Sequence, residues 1–229
     1  MGDFGVYVHI PFCRRKCFYC DFPSYAGEER WMSRYRKALC REIAAQGCRR
    51  LQEGTVRTLY IGGGTPTALL ADDLLAVICA LRESFRLMGG EEFTVEANPG
   101  TVDAALLKRL LAAGVNRLSF GVQSFSDALL SAIGRIHTAR EAEDAVRMAK
   151  EAGFRVSLDL MYGLPGQRLA DLKDSVARAA ALDIGHISVY GLAVEDGTPF
   201  ARMEETGRLH LPTDDECGDM YDYITTELP

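Results

Sequence analysis

Three cysteines stand close together near the N-terminus, within the run Cys13–Cys20, which reads Cys-Arg-Arg-Lys-Cys-Phe-Tyr-Cys. The C-x3-C-x2-C spacing places the thiols of Cys13, Cys17 and Cys20 on one short segment, and neighbouring thiolates bind soft metals. Iron–sulfur clusters usually take four cysteines, so three would leave one iron open to an exogenous chelator. The basic residues between the first two cysteines would lower the thiol pKa values and offset cluster charge. The pattern therefore favours an iron–sulfur cluster.

Two other readings of the cysteine run stay open at this point. Structural zinc normally takes four ligands, often as two C-x2-C pairs, and the sequence offers no second pair, although His9 could be a fourth ligand. The three thiols could also be unligated. The remaining cysteines are scattered, which favours helix packing or surface positions: Cys40, Cys48, Cys79 and Cys217.

Further polar and glycine positions follow predicted strands. Gly62–Pro66 reads Gly-Gly-Gly-Thr-Pro, which would let backbone groups approach a ligand or simply form a tight turn. Glu96 is a candidate acceptor for ribose hydroxyls or an ion-pair partner, and Gln123 ends the next strand. Asp159 lies within an apolar strand and needs a partner there, structural or bound. Arg135 lies between two helical patterns, where a solvated surface arginine is the default.

The elements that would position these groups alternate between strand and helix, which favours a parallel sheet with helices outside it. The predicted strands are Val6–Ile10, Thr58–Ile61, Phe93–Glu96, Arg117–Val122, Val156–Met161 and His186–Leu192, and the predicted helices are Glu28–Ala45, Asp72–Phe85, Val102–Ala113, Thr138–Gly153, Leu169–Leu182 and Asp214–Glu227. Six units fall short of the eight in a closed barrel, so we expect a partial (β/α)6 TIM-like barrel, with a doubly wound sheet as second choice. Reacting groups gather at the C-terminal strand ends of such barrels, where the cysteine run and the glycines fall.

Composition and charge limit the partners and the cellular location that we expect. The 229 residues are 48% hydrophobic and 25% charged, with a net charge of -6 and no block of like charges, so a nucleic-acid partner is not expected. No apolar run is long enough to span a bilayer, and the N-terminus lacks the basic and apolar regions of a signal peptide. We therefore expect a cytoplasmic location, with membrane contact only through a partner.

The sequence resembles the radical SAM superfamily, whose members use S-adenosylmethionine (SAM). More narrowly, it resembles oxygen-independent coproporphyrinogen III oxidases and their heme-chaperone relatives, the HemW group. Besides the cysteines, the resemblance is carried by Tyr7–Cys13 (Tyr-Val-His-Ile-Pro-Phe-Cys), Gly62–Thr67, Gly121–Gln123 and Asp159–Gln167. It extends from about Gly5 to about Glu227.

The resemblance implies a radical SAM type of partial barrel over residues 1–194, with residues 195–229 starting a C-terminal extension. It implies a [4Fe–4S] cluster on Cys13, Cys17 and Cys20, and cleavage of SAM to methionine and a 5′-deoxyadenosyl radical. Heme or a porphyrin would be a further ligand, an electron donor such as flavodoxin or ferredoxin a partner, and heme-acceptor proteins further partners. The implied SAM contacts are Tyr7, Gly63, Gly64, Thr65, Glu96, Gln123, Arg135 and Asp159, with Tyr19 and Ala193 flanking the adenine.

The chain departs from the oxidase pattern at one residue. The oxidases carry another cysteine two residues after the third, whereas this chain has Phe22. The resemblance therefore favours a heme chaperone that hands heme to acceptor proteins, and the alternative is oxidative decarboxylation of coproporphyrinogen III to protoporphyrinogen IX. Relatives continue into a C-terminal domain with a His-Asn-x-x-Tyr-Trp type motif, which does not occur before Pro229, so the chain is expected to lack that domain.

Overall fold

The strands form one six-stranded sheet and one small sheet in a computed structural model that describes residues 2–50 and 54–228. In chain order the strands are β1 (Gly2–Ile10), β2 (Phe12–Cys13), β3 (Tyr25–Ala26), β4 (Gly54–Gly63), β5 (Leu87–Ala97), β6 (Arg117–Gln123), β7 (Arg155–Tyr162) and β8 (His186–Gly191). All neighbouring strands of the large sheet pair in parallel.

The large sheet keeps strict chain order, β1-β4-β5-β6-β7-β8. A doubly wound sheet would reverse its strand order at a switch point, and this sheet does not. The sheet curls into a half-barrel, so the partial (β/α)6 TIM-like barrel is confirmed and the second choice is wrong. All six predicted strands exist, and several begin earlier than their apolar cores indicated.

The described residues form eight α-helices, which join and cover the strands. Their bounds are α1 (Met32–Arg50), α2 (Ala71–Ser84), α3 (Ala104–Ala112), α4 (Asp127–Ala132), α5 (Ala139–Glu151), α6 (Leu169–Ala181), α7 (Pro199–Glu205) and α8 (Asp214–Glu227). A capping box begins α5, with the Thr138 side chain accepting from Glu141 N. The predicted start of α1 was early, because Glu29–Trp31 forms a 3-10 turn. The short helices α4 and α7 were not predicted.

The core lies between the sheet and its helices. Apolar side chains of alternate strand positions meet helix residues there, and Phe93, Phe120, Leu107 and Ile78 are fully buried. Burial of such side chains is the main favourable term that holds the helices on the sheet. The curled sheet thereby presents the C-terminal ends of its strands at one rim.

The residues after β8 lie against the same body. Phe200 of α7 is fully buried in a cluster with Leu129, Ile133, Met161 and Leu164, and α8 packs against α6 and β7. The boundary at residues 194 and 195 stays a prediction. Among the described residues, no helix is both long and apolar enough to cross a membrane.

Candidate functional site

The cysteine loop begins where β2 ends and lies over the C-terminal rim of the barrel. Phe18 N donates to Ile133 O at 3.1 Å, beside the end of α4, and Phe200 N of α7 donates to Phe18 O at 3.0 Å. Two later parts of the chain therefore hold this loop by its backbone. Cys13, Cys17 and Cys20 are all partly buried and free.

The basic residues of the loop have structural partners. Lys16 Nζ donates to Phe22 O at 2.9 Å and to Ser24 O at 3.2 Å, and Arg14 Nη1 donates to Gly100 O at 2.9 Å. Burial raises the pKa of the Cys20 thiol and outweighs the hydrogen bonds from the Phe22 backbone and Ser24, which lower it, and the expected lowering by Lys16.

Arg135 reaches the loop from the segment between α4 and α5. Its guanidinium donates to Cys17 Sγ at 3.5 Å, to Asn98 Oδ1 at 2.7 Å and to Gly121 O. Burial by itself would lower the Arg135 pKa, but Cys17 and Tyr19 raise it. The default interpretation as a solvated surface arginine is therefore wrong, and Arg135 is a buried positive charge beside a thiol.

The glycine run at the end of β4 leaves no room for side chains. A Cβ on Gly64 would lie 2.7 Å from Phe12 O and 2.9 Å from Cys13 Sγ, and one on Gly63 would lie 2.7 Å from the His9 ring. Gly63 also has a φ of 117°, which L side chains rarely adopt. Gly64 N donates to Ile10 O at 2.8 Å, so the run is fixed directly beside the first cysteine.

Thr65 and Asn98 link the glycine run to the next strand end. Thr65 Oγ1 lies 3.6 Å from Cys13 Sγ and accepts from Asn98 Nδ2 at 2.8 Å. Sequence reasoning did not single out Asn98, although its position directly after β5 was the available signal. His9 was considered only as a zinc ligand, and its Nε2 instead lies 2.9 Å from Pro23 O.

Two carboxylates face the interior of the barrel. Glu96 accepts from Tyr60 OH at 2.7 Å and from Gly63 N at 3.0 Å. Burial and the nearby Glu96 charge raise the Asp159 pKa to about 6, against lowering by a hydrogen bond with Ser188. The structure therefore brings Glu96 and Asp159 into electrostatic contact near the glycine run.

Gln123 ends β6 in a strained backbone conformation, with a φ of 71°, at an irregularity in the pairing with β7. Its Oε1 is buried and has no hydrogen-bond partner among the described residues. An unpaired buried acceptor costs free energy, so it indicates a group that a bound ligand would satisfy.

The remaining predicted SAM contacts, Tyr7, Tyr19 and Ala193, differ in their exposure to solvent. Tyr7 is 58% exposed, and its hydroxyl lies 3.0 Å from His9 Nδ1. Tyr19 is buried between the cysteines, and burial together with Cys17 raises its pKa. Ala193 is exposed just after β8, and no described contact joins it to the others.

These features fit the implied groups. Three thiols, a cation beside them, a glycine cradle, two carboxylates and an unpaired amide oxygen share one rim. Within the described ranges, no three His, Cys, Asp or Glu side chains converge to hold a single metal ion. A cluster binds its cysteines through separate irons, so it does not require the thiols to converge on one point.

Comparison with known proteins identifies the family of the domain that carries this rim. The model of the radical SAM superfamily matches residues 7–179, which is more than half of the chain. The chain belongs to the radical SAM superfamily. The match includes the cysteine loop, the glycine run and the strand ends that carry Glu96, Gln123 and Asp159, so the rim lies within the superfamily's domain.

Curated relatives of this radical SAM chain are named heme chaperone HemW. The protein of Bacillus subtilis is 42% identical over 98% of this chain and 59% of its own length. That of Escherichia coli is 39% identical over 95% of this chain and 57% of its own. The chain therefore spans a little under three fifths of these relatives.

Solved structures share the radical SAM fold. Coproporphyrinogen III oxidase (HemN) from Escherichia coli, described as a radical SAM enzyme, superposes with a TM-score of 0.87 at 28% identity, over 97% of this chain and 52% of that one. Elp3 of Methanocaldococcus infernus superposes with a TM-score of 0.71 at 19% identity, over 100% of this chain and 55% of that one, which shows the fold alone.

Proposed function

We propose that this chain holds a [4Fe–4S] cluster on Cys13, Cys17 and Cys20, binds SAM beside it, and serves as the radical SAM part of a heme chaperone. The observation that carries the proposal is the placement of a three-cysteine loop against the glycine run, where a Cβ on Gly64 would lie only 2.9 Å from Cys13 Sγ. A three-cysteine cluster has one iron free for a chelating ligand. Amino and carboxylate groups of SAM are such a ligand.

The chain's own residues supply the SAM site in this proposal. Gly63 and Gly64 let the ligand approach the backbone, and Gln123 Oε1 gains a donor that it lacks now. Glu96 and Asp159 accept from ribose hydroxyls or the amino group, with Tyr7 and Thr65 at the edge of the site. Tyr19 and Ala193 flank the adenine. When bound, the cluster supplies the electron that cleaves SAM to methionine and a 5′-deoxyadenosyl radical.

Arg135 would offset negative charge at the proposed cluster site. Its guanidinium already donates to Cys17 Sγ at 3.5 Å, so it places a positive charge beside that sulfur. Charge-assisted hydrogen bonds of this kind are stronger than neutral ones. A buried cation next to the thiols offsets part of the negative charge that a thiolate-bound cluster brings.

Heme is the proposed cargo because the HemW relatives carry that name. The alternative function is coproporphyrinogen oxidation, and the structural likeness to HemN supports it. Phe22 weighs against it, because its exposed ring stands where the oxidases have a cysteine and supplies no thiol. Heme-acceptor proteins as partners and the boundary at residues 194 and 195 belong to the same proposal.

The deciding experiment is anaerobic reconstitution with iron and sulfide. We expect close to four irons and four sulfides per chain, and loss of both in Cys13→Ala, Cys17→Ala and Cys20→Ala. Cys40→Ala and Cys79→Ala are the matched controls, which should keep the iron. Stoichiometric zinc without iron would contradict the cluster.

The cargo is tested on the same samples. In a heme titration, the change in absorbance should saturate with added heme. Incubation with coproporphyrinogen III, SAM and dithionite should give no protoporphyrinogen IX. Formation of protoporphyrinogen IX at an enzymatic rate would contradict the chaperone function and support the oxidase function.

A further inference from the structure

A cavity lies at the end of the half-barrel opposite to the cysteine loop. Its volume is about 440 Å³, within the roughly 300–1,000 Å³ that small-molecule sites occupy. The first residues of three neighbouring strands line it: Arg117 of β6, Arg155 of β7 and His186 of β8. The residues of the proposed SAM site do not line this cavity, so it is a separate feature of the described chain.

Two arginines stand side by side in this cavity. Arg117 and Arg155 are register partners in the parallel pairing of β6 with β7, and like charges on neighbouring strand positions repel each other. Glu92 lies near both, with Oε1 3.6 Å from Arg117 Nη1 and Oε2 3.7 Å from Arg155 Nη1. Both separations exceed the roughly 2.7–2.9 Å of a charge-assisted hydrogen bond. Glu92 therefore offsets the charge of the pair only in part.

Arg117 has more hydrogen-bond donors than partners. Its side chain is 19% exposed, and within residues 2–50 and 54–228 its guanidinium makes one hydrogen bond, from Nη1 to Thr94 Oγ1 at 3.3 Å. A guanidinium carries several N–H donors in a planar arrangement that matches an oxyanion. Buried donors without acceptors cost free energy, so an oxyanion in the cavity would supply acceptors that Arg117 lacks.

The other two charged residues of the cavity are paired with each other. Lys150 Nζ donates to Leu182 O at 2.6 Å and to Asp183 O, and it lies 3.3 Å from the Asp183 carboxylate. With this pair balanced, the two arginines and Glu92 leave one positive charge in excess, in a chain whose net charge is -6. A monoanion would balance that excess, whereas a phosphate dianion would exceed it.

The remaining wall of the cavity is mainly apolar. It consists of Phe154, Val156 and Ile184, beside Gly185. Small-molecule sites commonly combine such a wall with a few polar groups that fix the orientation of the ligand. The cavity therefore suits a ligand with one charged end and an apolar body.

We propose that this cavity binds a small monocarboxylate with an apolar body, and that Arg117 and Arg155 hold its carboxylate. Guanidinium groups bind carboxylates through parallel N–H···O bonds, which add direction to the attraction between the charges. The site goes beyond the proposed function and does not depend on the cluster or on SAM.

The probe for this site is para-fluorobenzoate, and a titration followed by fluorine NMR measures its affinity. We expect saturable binding, and no binding of para-fluorobenzamide, which has the same body without the charge. Arg155→Gln should weaken binding by about tenfold through the loss of a charged donor. Arg140→Gln is the matched control, since Arg140 is exposed on α5 and does not line the cavity. Equal losses in the two variants, or equal binding of the amide, would overturn the proposal.

Gly185 allows a second test that removes no native contact. A Cβ there would meet nothing within 4 Å, and its backbone conformation is open to L side chains. Gly185→Asp adds a negative charge to the cavity wall and should weaken binding of para-fluorobenzoate by about tenfold. Gly185→Asn, the uncharged isostere, should keep the affinity of the wild type. Equal affinities of the Asp and Asn variants would overturn the proposal.

Inorganic phosphate tests the charge of the ligand. We expect it to displace para-fluorobenzoate less well than benzoate does at the same ionic strength. Better displacement by phosphate would make the cavity a phosphate site, and absence of saturable probe binding would leave only a structural ion-pair network; either result overturns the proposal. Iron content is measured on the same anaerobically reconstituted samples, so failure of the proposed function would appear there, independently of probe binding.

Discussion

Glu96 is a central residue of the SAM site proposed above. Its carboxylate accepts from Tyr60 OH and Gly63 N, which fixes both oxygens while leaving lone pairs toward the interior. We expect Glu96→Ala to weaken SAM binding by about tenfold to a hundredfold, the cost of one lost hydrogen bond to a charged group. Iron content should not change. Calorimetric titration of reconstituted protein with SAM measures the affinity.

The control for Glu96 lies on the same strand. Glu92 is at the middle of β5, where it pairs with Arg117 and Arg155. Glu92→Ala should leave SAM affinity unchanged. Equal affinities in the wild type and both variants would return Glu96 to a purely structural role.

Asp159 should make stability depend on pH. The pKa of Asp159 is about 6 in the folded chain, raised from 3.8 mainly by burial. Between these values the folded state holds a proton that the unfolded state has released, so stability falls as pH rises from 4 to 6 and stays lower above. Asp159→Asn should therefore raise the free energy of unfolding by about 2–3 kcal/mol at pH 8 and by almost nothing at pH 4.

Guanidinium unfolding at both pH values measures this difference. Asp196→Asn is the control, because Asp196 is exposed after β8 and should show no effect at either pH. A stabilisation of Asp159→Asn that is the same at pH 4 and pH 8 would contradict a role for ionisation.

At the scale of elements, the contact between α1 and α2 depends on one missing side chain. A Cβ on Gly47 of α1 would overlap the backbone of Ser84 at the end of α2. Glycine to alanine normally favours a helix by about 1 kcal/mol, but here overpacking should cost about 1–3 kcal/mol. Gly47→Ala should therefore destabilise the chain, as measured by thermal unfolding.

Gly218 of α8 provides the opposite case. A Cβ there would meet nothing within 4 Å, so Gly218→Ala should stabilise the chain by about 0.5–1 kcal/mol through helix propensity. If both variants stabilised the chain, helix propensity, and not the contact between helices, would decide the effect of the substitution at Gly47.

The elements also show how far the sequence alone can predict the structure. Strand cores such as Phe93–Glu96 were recognisable because they are apolar and closed by glycine or proline, but β5 extends back to Leu87 through polar residues. The helices α4 and α7 have six and seven residues, too few for a periodic pattern to show. Arg135 could not be recognised as buried, because Asn98 and Gly121 become its neighbours only after folding.

At the scale of the whole molecule, the half-barrel has two sheet edges, β1 and β8. Most of β8 is exposed or half-buried, whereas β6 lies centrally and is largely buried. Local opening requires less free energy where few apolar contacts must break. We expect amide hydrogen exchange in residues 186–191 to be at least about tenfold faster than in residues 117–123. Equal protection in mass spectrometry would contradict an open edge at β8.

The backbone support of the cysteine loop has a consequence for the order of events during synthesis. The thiols of Cys13, Cys17 and Cys20 leave the ribosome early, but Phe18 is held by Ile133 and by Phe200, which are translated more than a hundred residues later. At typical elongation rates this leaves the nascent chain for several seconds with bare thiols on an unsupported loop. We therefore expect insertion of the proposed cluster to be a late step. A ribosome that stalls before Phe200 would release a product that has all three cysteines but lacks part of the backbone support for their loop.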